Sequence, residues 1–322
     1  MQAIVINAIG GPEVLEWSEV AEPTAGPGQV LIDIAYSGIN YIDTYHRTGL
    51  YPMELPFSPG LEGAGRVVAV GDGVDEAMVG SSVAWTGEIG SYAERVVAPA
   101  NRVVRLPDEI SPELGAAVML QGLTAHYLAT DTYALQPGDR CLIHAAAGGV
   151  GRLLVQIAKL AGAEVFGTVG SDGKVEIARS AGADHVINYS TTNFKEAIEE
   201  IAGPHPMAVV YDGVGEATFD DGLDLLAPRG VMATFGNASG PVPPVNPLRL
   251  SAGGSLYLTR PTLFAYISED DVLASRSADL FRWMASGELD VRIGAVYPLA
   301  EAAEAHRALE GRGVAGKILL EV

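Results

Sequence analysis

The 322-residue chain contains a single cysteine, Cys141. An intramolecular disulfide framework is therefore excluded, and so is a zinc site built from several cysteines. Positive charge is also scarce. Twenty Lys and Arg stand against forty Asp and Glu, a formal charge of −20. That average field repels a phosphate backbone, so no nucleic acid and no anionic membrane surface is expected as a partner. No apolar run approaches the roughly 18 residues of a membrane-spanning helix. The first ten residues lack the basic stretch and apolar core of a signal peptide. A cytoplasmic protein is the expectation. Charged residues make up 19% and hydrophobic residues 48%, a composition suited to a packed core rather than to disorder.

Glycine is plentiful, at 39 residues, but follows no three-residue period. Collagen is excluded, and many tight turns or close backbone approaches are implied. Residues 1 to about 120 read as β-rich, with short strands at 3–6, 30–36, 65–70 and 91–97 between Gly/Pro turns. A short helix is expected over 41–47. Helical segments then run over 111–128, with a break around Gln121-Gly122. A strand–helix rhythm follows, with strands at 141–145, 164–169, 185–187, 208–211 and 231–235 and helices between them. This is the pattern of a parallel sheet covered on both faces. After a proline cluster at 241–247 come a strand at 255–259, helices within 263–287 and 296–309, and a last strand at 317–322. That last segment could fold back onto the first domain.

The most informative segment is His144-Ala145-Ala146-Ala147-Gly148-Gly149-Val150-Gly151. It follows a strand and opens a helix. The strict G-x-G-x-x-G pattern is absent; what stands there is A-x-x-G-x-x-G. Gly148 lets backbone approach a pyrophosphate, Gly151 lets the helix pack closely on the sheet, and the helix N-terminus offers N–H groups to phosphate oxygens. A bound dinucleotide is expected, held by Ala147, Gly148, Gly149 and Val150. At the end of the next strand, Gly170 stands where an NAD enzyme carries a ribose-binding acid, and Ser171 and Lys174 offer donors to a 2′-phosphate. Asp172 argues the other way, but NADPH is favoured over NADH. Gly213 and Gly236 follow two further strands, at the carboxyl ends that line a ligand crevice. Asn237 reads equally as a ligand donor and a turn former, and Tyr189 as an adenine cover and a packing residue.

Further motifs carry a resemblance. They are Gly10-Gly11-Pro12-Glu13-Val14-Leu15, Gly38-Ile39-Asn40-Tyr41-Ile42-Asp43-Thr44-Tyr45, Gly49-Leu50-Tyr51-Pro52, Gly60-Leu61-Glu62-Gly63, Gln121-Gly122-Leu123-Thr124-Ala125 and Gly316-Lys317. With the glycine turn, they make the chain similar to the zinc-independent, zeta-crystallin-like quinone oxidoreductases of the medium-chain dehydrogenase/reductase superfamily. The resemblance implies an α/β fold with two parts: a Rossmann-type doubly wound parallel sheet domain and a GroES-like β-rich catalytic domain. On this reading residues 1–120 form the catalytic domain, 121–265 bind NADPH, and 266–322 return to complete the catalytic domain. It also implies a homodimer. By the same resemblance Asn40, Asp43 and Tyr45 lie on the nicotinamide side, Tyr51 lines the quinone pocket and Thr124 lies below the nicotinamide. Ser171, Lys174 and Tyr189 fall on the adenosine-phosphate side, and Arg260, Phe264 and Lys317 lie in cofactor-contact segments.

The residues themselves support less. Asn40 and Tyr45 supply donors and Asp43 an acceptor, enough to orient a carboxamide or a quinone oxygen; Tyr45 and Tyr51 equally suit core packing. No metal is expected. The zinc dehydrogenases of the superfamily carry a catalytic cysteine where Ser37-Gly38-Ile39-Asn40 has none, and their Gly-His-Glu motif becomes Gly60-Leu61-Glu62. Without a strong Lewis acid, alcohol oxidation is disfavoured. A quinone needs none, so the expected activity is transfer of a hydride or electrons from NADPH to a small quinone. The alternatives are reduction of an enone double bond with the same cofactor, or a non-enzymatic NADPH sensor or RNA-associated protein.

Overall fold

The computed structural model describes residues 1–311 and 313–322. The first strands are β1 (Gln2–Val5), β2 (Glu16–Glu19), β3 (Gln29–Ile39), β4 (Glu62–Val70), β5 (Ser82–Thr86), β6 (Arg95–Pro99) and β7 (Val103–Arg105). Helix α1 (Tyr41–Thr48) lies between β3 and β4, and α2 (Pro112–Tyr127) follows β7. Next come β8 (Arg140–Ile143), α3 (Gly149–Leu160), β9 (Glu164–Val169), α4 (Val175–Ser180), β10 (His185–Asn188) and α5 (Phe194–Ala202). Then follow β11 (Met207–Asp212), α6 (Phe219–Asp224), β12 (Leu226–Thr234), α7 (Pro247–Ala252), β13 (Tyr257–Thr259), α8 (Leu263–Tyr266) and α9 (Asp270–Ser286). The chain finishes with β14 (Ile293–Pro298), α10 (Ala302–Glu310) and β15 (Lys317–Glu321).

Two compact units result. One comprises Met1–Leu123, Ile267–Gly287 and Val291–Val322; the other comprises Thr124–Tyr266 and Glu288–Asp290. These bounds differ from the sequence-based ones at Gln121–Leu123, at Tyr266 and at Glu288–Asp290. Gln121 to Leu123 cluster with the first unit, because Gln121 Nε2 donates to Asn40 Oδ1 at 3.1 Å and Gly122 packs against Leu280. Glu288 to Asp290 cluster with the second, because Arg152 of α3 donates to the Asp290 carboxylate and carbonyl, both at 2.5 Å.

In the first unit a seven-stranded sheet runs β14-β15-β3-β4-β5-β7, with β6 also paired to β3. Most neighbours are antiparallel, and the Val/Ile/Trp faces of β3, β4 and β5 bury Val30, Ile32, Val67, Val83 and Trp85. β15 pairs antiparallel with the end of β3, setting Ile318 opposite Ile39. This register carries Lys317, near the end of the chain, to the start of α1. Strand β6 begins at Arg95, later than the expected residue 91. Ser91 and Tyr92 instead give their N–H groups to the Gly60 and Pro59 carbonyls.

The second unit holds a fully parallel sheet in the order β10-β9-β8-β11-β12-β13. Numbered within the unit, that is 3-2-1-4-5-6, the doubly wound order whose direction of winding reverses beside the first strand. Its strands are apolar on both faces, with Leu142, Phe166, Val210 and Met232 fully buried. The expected break in α2 at Gln121-Gly122 does not occur. Gly122 is a packing residue, since a Cβ there would sit 2.7 Å from Val118 and 3.0 Å from Leu280. Among the described residues, no helix is long and apolar enough to cross a membrane.

Candidate functional site

In the second unit, β8 delivers the chain to a glycine turn at the point of reversal. Ala145 takes a left-handed φ of 53°, and Ala146 N–H bonds to the Thr168 carbonyl at 2.9 Å. Gly148 is the N-cap of α3, extended and without a side-chain cap. The first-turn N–H groups of Gly149, Val150 and Gly151 have no acceptor within an α-helix, so they suit an anion. Gly151 lies against the Ala145 carbonyl oxygen, where any Cβ would collide with backbone. The turn formed by Ala147, Gly148, Gly149 and Val150 has the donor chemistry that suits a dinucleotide pyrophosphate.

The loop after β9 is exposed at Gly170 and Ser171, and Lys174 is half-buried. A Cβ on Gly170 would come within 2.8 Å of the Tyr189 hydroxyl, so this ring covers the glycine. Asp172, the residue that argued against a phosphate, accepts from Asn188 Nδ2 at 2.7 Å. After β11, Asp212 is fully buried and its Oδ1 accepts from Val214 N, Gly215 N and Thr218 Oγ1 at 2.7–3.0 Å. That bracing shapes the bend at Gly213, which the sequence reading did not attribute to Asp212. Gly236 packs on the Gly213 carbonyl. Arg260 Nη1 donates to the Thr234 and Gly236 carbonyls at 3.1 and 3.0 Å, and its Nη2 lies 3.1 Å from the Asn237 amide once that amide is oriented to satisfy its neighbours. Arg260 thus stiffens the loop after β12. Phe264 on α8 is exposed, whereas Thr124 on α2 is buried.

In the first unit a buried polar cluster gathers around Asn40, the N-cap of α1. Its amide Nδ2 donates to Glu62 Oε1 at 2.6 Å, and its Oδ1 accepts from Lys317 Nζ at 3.0 Å and Gln121 Nε2 at 3.1 Å. Lys317 also forms an ion pair with Glu62 Oε1, and Glu62 Oε2 accepts the Leu120 N–H at 2.7 Å. Both charged side chains are buried. Burial draws the Lys317 ammonium below the usual lysine range, against the opposing pull of Glu62 and Asp43. Asp43 is fully buried; its Oδ2 accepts from Asn40 N at 2.8 Å and from the Tyr92 hydroxyl at 3.0 Å. Tyr45 and Tyr51 meet edge to face at 5.2 Å, with His46 6.2 Å from Tyr51. Asn40, Asp43 and Lys317 are therefore brought together, with Tyr45 on the next turn of α1. Glu62, Gln121 and Tyr92 are members that the sequence reading did not assign.

Burial raises the Asp43 carboxyl from 3.8 to about 7, although Asn40 N–H, the Tyr92 hydroxyl and Lys317 all favour its ionised form. A carboxyl whose folded pKa is raised stabilises the fold fully below its unfolded pKa. That contribution is lost as pH rises through the folded value. The stability difference between wild type and Asp43→Asn should therefore fall by roughly 2–4 kcal/mol from pH 4 to pH 8. Urea unfolding at each pH measures it, and a flat difference would contradict the buried, protonatable carboxyl.

An antiparallel β unit and a parallel-sheet unit with a glycine-turn nucleotide site together define a medium-chain dehydrogenase/reductase. Family models agree. Residues 26–108 match the alcohol dehydrogenase GroES-like domain, and 149–271 match the zinc-binding dehydrogenase domain. The chain is 45% identical to a Pseudomonas aeruginosa quinone oxidoreductase over 98% of both proteins. It is 40% identical to a Burkholderia 2-haloacrylate reductase over 99% of this chain and 98% of that protein. The solved structure of Escherichia coli quinone oxidoreductase complexed with NADPH superposes with a TM-score of 0.98 at 41% identity, covering all of both chains. The chain belongs to the zeta-crystallin-like quinone oxidoreductase family of that superfamily.

The zinc of the matching dehydrogenase domain finds no fitting donor set among the described residues. Among the described residues, no three His, Cys, Asp or Glu side chains are grouped to hold a metal. Glu62 is committed to Lys317, Asn40 and the Leu120 N–H. Cys141 is buried in β8, where desolvation pushes its thiol pKa far up and makes the thiolate ligand costly.

Proposed function

We infer that this chain is an NADPH-dependent quinone reductase. The observation that carries the cofactor is the end of β9. There Gly170 lies under Tyr189, Asp172 accepts from Asn188, and Ser171 and Lys174 stand on the same loop as donor types suited to a 2′-phosphate. Bound NADPH supplies the hydride. The side chains of this chain bind and orient: the α3 N-terminus holds the diphosphate, and the loops at Gly213 and Gly236 give backbone access to the nicotinamide half. Within the first unit the Asn40 cluster and Tyr45 with Tyr51 are the proposed orienting groups for the acceptor, and within the second Thr124 is the proposed neighbour of the nicotinamide. An electron-poor quinone requires positioning rather than a Lewis acid, and we propose that turnover is zinc-independent. Exhaustive dialysis against a strong chelator should leave activity unchanged; loss restored by zinc would overturn that proposal.

The deciding experiment follows NADPH oxidation with 1,4-benzoquinone, 9,10-phenanthrenequinone, an enone panel and 2-chloroacrylate. Turnover confined to quinones supports the reading. Turnover confined to the activated alkenes favours the second reading, carbon–carbon double-bond reduction, which rests on the 40% identical 2-haloacrylate reductase. A tight NADPH complex with no acceptor at all would indicate a sensor. Lys174→Ala should raise KM for NADPH on the order of tenfold, about the worth of one charge-assisted phosphate contact, and leave KM for NADH within twofold. Equal effects would remove Lys174 from the phosphate site.

Two finer features are proposed with it. A homodimer is supported by β13, a three-residue strand at the sheet edge with Tyr257 61% exposed, and by the exposed Leu248 on α7. Light scattering tests it. A cytoplasmic site of action follows from the need for a maintained NADPH supply, and cell fractionation tests that.

A further inference from the structure

We propose that Tyr92, His306 and Arg47 are positioning residues for the reaction, joined in a one-way hydrogen-bond chain that ends on the Asp43 carboxylate and, through it, holds Asn40. The proposal rests on the quinone-reductase reading for its kinetic consequence, but not for its geometry.

The direction of the chain follows from donor chemistry. Arginine has no acceptor, so Arg47 Nη1, 2.9 Å from His306 Nδ1, must donate to it. The imidazole then carries its proton on Nε2, which lies 3.0 Å from the Tyr92 oxygen and donates there. The Tyr92 hydroxyl has its own proton left for Asp43 Oδ2, at 3.0 Å. Asp43 Oδ2 receives the Asn40 N–H as well. While Asp43 is ionised, no link can reverse. His306 is held neutral, its pKa lowered to about 3 by burial and by Arg47. Tyr92 is held protonated, since burial and Asp43 push its hydroxyl well above the ordinary tyrosine value.

The fold goes to some length to seat this chain. Arg47, Tyr92, His306 and Asp43 are all buried, on α1, on the loop before β6 and on α10. Gly60 has a φ of +92°, and a Cβ there would strike the Tyr92 ring. Arg47 is neutralised by Glu310 through two bonds at 2.8 and 3.2 Å, and its Nε donates to the Gly10 carbonyl. The groups that face Asp43 are Asn40 N–H from the start of α1, Glu62 from β4, Lys317 from β15 and Tyr92 from its loop; His306 of α10 and Arg47 of α1 lie behind Tyr92. Tyr92 is a neutral side-chain donor to Asp43, so its loss leaves the carboxylate with less stabilisation and no new charge.

The test has an arm that needs no turnover. Side-chain carboxyl carbon NMR, with the Asp43 signal assigned from Asp43→Asn, should show the Asp43 titration in Tyr92→Phe moved up by on the order of one pH unit. The acid limb of the kcat/KM profile for quinone should move by the same amount, with NADPH affinity within twofold of wild type. His306→Gln, which keeps an N–H toward Tyr92, should stay near wild type, and His306→Leu should follow Tyr92→Phe. If His306→Leu fails to fold, the shape-conserving Tyr92→Phe decides alone. An unmoved Asp43 titration in Tyr92→Phe, or a loss of turnover equal at every pH, would overturn the proposal. A wild-type enzyme that reduces no quinone would instead sink the functional reading and leave the chain to the NMR arm.

Discussion

Lys317→Met should lower the unfolding free energy of the β-rich unit by about 3–5 kcal/mol, the usual cost of stripping one partner from a buried ion pair. Lys317 and Glu62 are 1% and 0% exposed, so neither charge is repaid by water when the other is removed. Methionine keeps most of the lysine stem, which limits the cavity term and isolates the charge. Glu62 would be left with two N–H donors, from Asn40 and Leu120, but without its counter-charge. Asn40 Oδ1 would lose one of its two donors. The double variant Lys317→Met, Glu62→Leu removes both charges together and should be less destabilised than Lys317→Met alone. The comparison by urea unfolding is the measurement. A single variant within 1 kcal/mol of wild type would mean that the pair is not buried in solution. Because the pair also fixes the Asn40 amide, quinone kcat/KM should fall with stability in the single variant and recover only in part in the double.

Legibility in the sequence tracked locality. The strand–helix rhythm of the parallel sheet was readable because each buried strand is a short apolar run, and each is followed within a few residues by its own helix. The glycine turn was readable for the same reason: strand, turn and helix N-terminus are contiguous. The break expected in α2 failed because a glycine in a mostly apolar helix reads alike whether it ends the helix or admits a neighbour, and Leu280 is 158 residues away from Gly122. The polar cluster was only half legible. Asn40, Asp43 and Tyr45 lie on one short motif. Glu62 read as a failed zinc ligand, because its partner Lys317 is 255 residues further on. His306 is one of several polar residues on α10, with Glu304, Arg307 and Glu310, and Arg47 is a base in the last turn of α1; the bond between them spans 259 residues. No spacing rule reaches across such distances. The usable signal was indirect: a histidine inside Ala302-Ala303-Glu304-Ala305-His306 sits among alanines that mark a buried face, and a buried histidine requires partners.

Gly151→Val should abolish measurable NADPH binding, raising Kd at least about a hundredfold, or roughly 2.7 kcal/mol. The argument is steric before it is electrostatic. A Cβ at this position would overlap the Ala145 carbonyl oxygen and crowd the Ala146 Cα, so backbone rather than a flexible side chain must yield. The yielding element is the first turn of α3, whose N–H groups are the proposed diphosphate donors and whose cap at Gly148 contributes no side chain. Displacing that turn costs the anion site its geometry, and valine adds a β-branched penalty in the helix. Gly148→Ala is the informative contrast. Its Cβ would lie 3.1 Å from the same oxygen, tight but absorbable, and φ there is an ordinary −77°. It should fold normally and weaken NADPH by less than about tenfold, if the pyrophosphate approaches the backbone at that residue. Calorimetric titration of both variants, with circular dichroism to verify folding, separates the two effects. Tight NADPH binding by a folded Gly151→Val protein would show that the diphosphate does not rest on α3, and the cofactor site would have to be sought elsewhere in the parallel-sheet unit.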